Sequence, residues 1–480
     1  MRIKYLFFSF FMLSVVLSAN CQQKSLSPAQ LKEDFEIFKG SIIEAHAGLY
    51  WYNDTSTIDN RLASISASIQ QKKSQTEFHR LLQEFYAGIN CGHSWMSRPY
   101  EFVNKRDSGN YYFPFQLFFD GTKATLFKDY STDESLNIGD EVLKIDGMTI
   151  AEIFKILYRY IPSDGYNLTS KNRIIAGQFP LYYQQYIQLK DEVVLTVKGK
   201  DGISQEIRLN CIDKTTFEER SKSEFSTKPE DLLSFKIIDD QTALLRIKTF
   251  SKDWIKYQQK ISFKKFLKES FTEIQEKQIS KLILDLRSNG GGDDGLGALL
   301  NTYLIPEKFR YFDKMELSTK KFSYLQYSNT KGLKWASILI KKSKEKPNTY
   351  LWTHHQPLKE QKPNKLVYTG ELVILTNGST FSTAADVCAI LHANKRGTFA
   401  GEEVGGGYYG NNSAISMDIQ LPNSGIRYWI PLVRYTNYVD YPEFIGHGVI
   451  PKQVIPFTFN DLIDPEDLVL KKSMKLFKTE

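Results

Sequence analysis

Two short runs, KLILDL at 281–286 and ELVILT at 371–376, constrain this chain more than any other feature. Their apolar residues stand at consecutive positions, as in a strand buried on both faces, and each run leads through a turn into a helical pattern. Similar runs occur as TALLRIKTF at 242–250 and RGTFAG at 396–401, with helical patterns at 254–275, 295–303 and 382–393. Strand and helix in alternation predict a largely parallel sheet with both faces covered. The region 230–460 is therefore expected to be an α/β core. A stretch rich in lysine and aromatic residues at 317–368 breaks its rhythm and reads as a surface insertion, or as a roof over a site.

At 480 residues the chain has room for about three domains. Residues 25–106 carry apolar residues at helical spacing, as in LKEDFEIFKGSIIEAH and TEFHRLLQEFYAGI, with Ser27 before Pro28 as a candidate cap. Residues 108–212 change to strand grammar: YYFPFQLFFDGTKATLFKDY alternates around Asp120-Gly121, a hairpin signal. The phrase GDEVLKIDG at 139–147 resembles a PDZ-type module, which implies capture of extended peptide ends by strand addition. A helical insertion at 154–189 departs from that pattern, and a structural spacer is the alternative reading. A tail at 461–480 follows the core.

The first residues, MRIKYLFFSFFMLSVVLSANC, place two cations before an apolar run and then small residues, the order of a secretory signal over 1–21. Export to the periplasm or cell envelope is the expectation. Cys21 loosely resembles a lipoprotein site, so membrane attachment through a lipidated Cys21 is an alternative to free secretion, although Asn20 stands where a small residue is usual. The cysteines at 21, 91, 211 and 388 are too scattered for a disulfide framework, and no CxxC pair suggests zinc. A net charge of +7, spread among 55 acidic residues, does not argue for nucleic acid. Nothing in the sequence requires a cofactor or metal.

Two motifs carry chemistry. In LILDLRSNGGGDDG at 282–295 a strand exits into three glycines ahead of a helix, which allows close backbone approach and an anion site. No Lys-Ser or Lys-Thr follows, so the phosphate-loop spacing is not met. In ELVILTNGSTFSTAADVCAIL at 371–391, Ser382 lies at a strand-to-helix turn whose free amides and positive dipole favour an oxyanion. A plain helix cap is the competing reading of that serine.

Together the order and spacing of these motifs resemble the tail-specific, or C-terminal processing, protease family. The likeness extends to the helical N-terminal domain, the PDZ-like phrase and KRGTFAGEEVGGG at 395–407. The resemblance implies a ββα spiral core of the crotonase and ClpP type, a polypeptide substrate and Ser382 as nucleophile. It further implies oxyanion donors at Gly290, Gly291 and Thr383. In the bacterial branch a lysine base follows the serine by 25 positions, where this chain has Gly407. The branch typified by tricorn protease uses a histidine from the segment before the PDZ-like module, and His93 in INCGHSWMS fits that place. A serine precedes the histidine in that branch. Here Gly92 does, and Ser94 is the substitute. The supporting acid implied by the family is Glu443, with Asp440 second. A binding protein without turnover, or an esterase or acyl-transfer enzyme on the same core, are the other readings of this pattern.

Overall fold

The computed structural model describes residues 25–121, 123–131, 136–225, 231–330, 340–440, 443–463 and 466–477. The expected signal segment and Cys21 lie outside them. The chain folds as a mixed α/β protein with several sheets.

The central sheet runs in the order Gln453–Val454, Thr398–Gly401, Glu371–Thr376, Lys281–Asp285, Thr242–Ile247 and Leu233–Ile237. Its strands are parallel except for the last pair. Leu282, Ile283, Leu284, Val373, Ile374 and Leu375 are all buried, which is why both strands read as unbroken apolar runs. Helices Asp294–Thr302 and Thr383–Ala393 follow the two central strands. The helical pattern expected at 254–275 is two helices, Lys252–Gln259 and Phe263–Glu276, because Lys260 adopts a left-handed conformation (φ 56°) and stops the first.

A second, antiparallel sheet is built on the long strand Arg427–Asn437. That strand pairs with Asn412–Gln420, with Phe312–Leu317 and with the short strand Trp95–Met96. Within 317–368, the strands Ile340–Lys342 and Tyr350–Trp352 extend this sheet. The N-terminal helices are Pro28–Ala45, Thr55–Ser68 and Gln75–Ala87. Ser27 caps the first through a reciprocal bond pair with Gln30. Trp95–Met96 thus carries the segment after these helices directly onto the core.

Residues 115–210 form a third sheet with its own apolar core. Asp146 and Gly147 take positive φ (47° and 81°) between the strands Glu141–Ile145 and Met148–Thr149, the requirement of a tight hairpin turn. Helices Ile150–Leu157 and Leu168–Tyr186 pack on this sheet. The second is kinked at Gln178, two residues before Pro180, whose ring cannot continue an unbroken helix. Arg173 and Asn167 tie this unit to the core through Glu402 and Glu403. Cys91, Cys211 and Cys388 are free and buried.

Candidate active site

The glycine turn and the hydroxyl turn are knitted together. Phe381 N–H donates to Asn289 O (2.9 Å), Thr380 Oγ1 to Leu286 O (2.9 Å), and Ser288 N–H to Asn377 Oδ1 (2.9 Å). Asn289, fully buried, donates its amide to Ile247 O (2.9 Å) and so pins the turn to a third strand. At the end of this scaffold Ser382 has φ 55° and ψ −130°, a conformation that costs a non-glycine residue on the order of 1–3 kcal/mol. It occupies the N-cap position of helix Thr383–Ala393, yet its side chain makes no capping bond. Its hydroxyl lies 3.1 Å from His93 Nε2.

His93 comes from the loop between the helix Gln75–Ala87 and the strand Trp95–Met96, and its ring stacks on Phe381 at 4.6 Å between centroids. Burial lowers its imidazole to about 4, which leaves it neutral and able to accept a proton at physiological pH. Its Nδ1 is buried with no hydrogen-bond partner among the described residues. Gly92, where the tricorn branch has serine, leaves room for Phe381: a Cβ there would lie 2.7 Å from that ring. Ser94 does not replace that serine at His93. Its hydroxyl lies 3.0 Å from His46 Nε2 in the buried interior, while His46 Nδ1 accepts the Gly48 N–H at 3.2 Å. With Nδ1 accepting, the proton of the neutral ring sits on Nε2 and points to Ser94.

Glu443, the acid implied for His93, is exposed and has its carboxylate 3.7 Å from His392 Nε2 instead. Asp440 is exposed as well, and its backbone carbonyl accepts from the Tyr409 hydroxyl. Hydrated carboxylates at a surface turn avoid the desolvation that a place beside the buried Nδ1 would demand. The acid that does touch the base loop is Asp164, which the sequence reading did not single out. Nearly inaccessible at 2% exposure, it accepts the Gly92 N–H (2.8 Å) and the Gly407 N–H (3.4 Å). Burial raises its carboxyl to about 6 against the effect of those two amides. The only sequence signal was its Asp-Gly step between two helical patterns, a common turn pair. Gly407, the position of the bacterial lysine, is packed so that a Cβ would meet Gly410 O at 2.8 Å.

The three implied oxyanion donors part company. Gly291 N–H is engaged by Asn289 Oδ1 at 2.9 Å, a local bond within the turn, so this amide is taken. What Gly291 (φ +96°) supplies is closeness, since a Cβ would stand 2.7 Å from Ser382 Cβ and 2.9 Å from Thr383 N. The N–H groups of Gly290, Gly292 and Thr383 have no acceptor among the described residues, and all three residues line one cavity of about 380 Å³ with Ser382 and His93. A nucleophilic oxygen, a neutral base and free amides at one cavity wall are the parts needed for acyl transfer. No group of side chains suited to hold a metal occurs among the described residues.

No curated protein sequence matches this chain. Mature CPAF is similar in structure at 16% identity and a TM-score of 0.61, over 90% of this chain and 94% of that one. Mature CPAF complexed with lactacystin is similar at 14% identity and a TM-score of 0.62, over 93% and 98%. These likenesses establish a shared fold. The family model described as Peptidase family S41 matches residues 241–453, which hold both turn motifs and Ser382. Over this core the chain is thus similar to peptidase family S41, a family of serine peptidases.

Proposed function

We propose that this protein hydrolyses polypeptides by a Ser382–His93 mechanism, a reading carried by the 3.1 Å contact between the strained Ser382 hydroxyl and His93 Nε2. Ser382 Oγ attacks a peptide carbonyl while its proton passes to His93 Nε2, and the oxyanion takes the amides of Thr383 and of Gly290 or Gly292. Collapse breaks the C–N bond as His93 returns the proton to the leaving amine. Water then repeats the sequence on the acyl-enzyme, with His93 again as base. Asp164 holds the base loop through the Gly92 amide without touching the imidazole, a positioning role. The PDZ-like unit at 108–212 presents the chain to be cut, and the signal-like segment 1–21 puts the substrates outside the cytoplasm, among envelope or secreted proteins.

A fluorophosphonate probe tests this reading. Wild-type protein should label on a single serine, Ser382→Ala should not label, and His93→Ala should label far more slowly. Labelling that survives Ser382→Ala, or a folded wild-type protein that does not label, would overturn it.

A further inference from the structure

The cavity beside Ser382 has a chemical bias of its own. Besides the catalytic groups it is lined by Asp294, Asp386, Ser413, Ser416 and Tyr435, with no lysine or arginine among its described lining. Asp294 opens the helix Asp294–Thr302, and Asp386 sits in the first turn of the helix that follows Ser382. Four residues on from the nucleophile, Asp386 is about one helical turn, roughly 6 Å, along the axis from it. That is the scale of a long side chain laid from the scissile carbonyl.

The carboxyls meet no strong cation in the described structure. Asp386 is 2% exposed, and its oxygens accept only from the neutral amides of Asn411 (3.2 Å) and Asn437 (3.1 Å). Asn437 leaves its own buried Oδ1 without a donor. Asp294 Oδ2 has His355 Nε2 at 2.8 Å, from the 317–368 stretch, and the Asp294 carboxylate also accepts from the Tyr435 phenol. Burial, then Asp294 and Asp164, push the Asp386 carboxyl up to about 8. The Tyr435 phenol is raised well above its ordinary value by burial and by the Asp294 and Asp386 carboxylates. Two acids that line one cavity without a lysine or arginine beside them are relieved by an incoming cation with several N–H donors, since a carboxylate can accept more bonds than these neutral partners supply.

We propose that Asp294 and Asp386 form the subsite for the side chain of the residue whose carbonyl Ser382 attacks, and that this peptidase therefore cuts polypeptides after arginine or lysine. The inference rests on Ser382 being the nucleophile. The guanidinium or ammonium lies between the two carboxyls, and Ser413 and Ser416 line the same wall.

The test uses the full chain and reads protection of Ser382 from the fluorophosphonate by two peptide aldehydes differing only in a terminal arginine or leucine residue. In wild type the arginine aldehyde should protect at a concentration about ten- to a hundredfold lower, the worth of one hydrogen bond to a charged group. That ratio should collapse toward one in Asp294→Asn and in Asp386→Asn, which keep size and shape, and each variant is checked for folding by its labelling without aldehyde. If Asp386→Asn fails to fold, Asp294→Asn, at a side chain less buried than Asp386, still decides. A wild-type ratio near or below one, with labelling intact, overturns the subsite while leaving the nucleophile standing. An unchanged ratio in Asp294→Asn also overturns it. No labelling of folded wild type removes the nucleophile, and the subsite with it.

Discussion

Gly291→Ala is the sharpest single perturbation of this site. The residue sits at φ +96°, where an L side chain is strained by roughly 1–2 kcal/mol. Its new Cβ would stand 2.7 Å from Ser382 Cβ, and 2.9 Å from both Phe381 O and Thr383 N. Carbon atoms pack comfortably at about 3.5–4.0 Å, so one side must give by nearly 1 Å, an overpacking cost of about 1–3 kcal/mol. Loss of about 2–5 kcal/mol of stability is the ceiling if the turn holds still. If instead Ser382 and the Thr383 amide shift, the oxyanion donor is lost and the labelling rate should fall by about 10²–10³. Fluorophosphonate labelling rate and urea unfolding, read on the same preparation, divide the two. Gly290→Ala is the control for stability: its Cβ would meet nothing within 4 Å, so it should be neutral or stabilising by up to about 1 kcal/mol. A Gly291→Ala protein that labels within threefold of wild type and unfolds at the same urea concentration would refute the close-packed geometry of the two turns.

Three further outcomes are expected. His93 acts only when neutral and burial lowers it to about 4, so the labelling rate should hold through pH 5 and fall by half near pH 4; a midpoint at or above 6.5, the ordinary value, would contradict this. Ser382→Gly should abolish labelling yet raise stability by about 1 kcal/mol in chemical denaturation, because glycine tolerates φ 55°, and a loss of stability would count against the strain. Asp164→Ala leaves the buried Gly92 N–H without an acceptor, which should cost about 1–3 kcal/mol and slow labelling at least tenfold; Asp164→Asn, with one carbonyl oxygen, should recover most of the rate, and equal rates in the two variants would deny the positioning role.

Much of the core was legible because its constraints are local. The strands at 281–286 and 371–376 are unbroken apolar runs because helices and neighbouring strands cover both their faces, and their ends fall within a residue of expectation. Gly290 to Gly292 announced a close approach of backbones, and the family likeness marked Ser382 and His93. The helix expected at 254–275 failed locally at Lys260, a left-handed stop in a residue type that carries no such signal.

What the sequence determined by itself was the alternation of strand and helix, the two turns that carry glycine and hydroxyl, and the absence of a lysine at 407. Only the tertiary structure decided which carboxylates lie at the site. Glu443 is near the right place in the chain but ends on the surface beside His392, whereas Asp164, far from both motifs, reaches the base loop through the Gly92 amide. Asp294 and Asp386 likewise share a cavity although 92 residues separate them in the chain. A carboxylate's role depends on its desolvation and on the donors around it, and both are set by packing between segments that no local pattern relates.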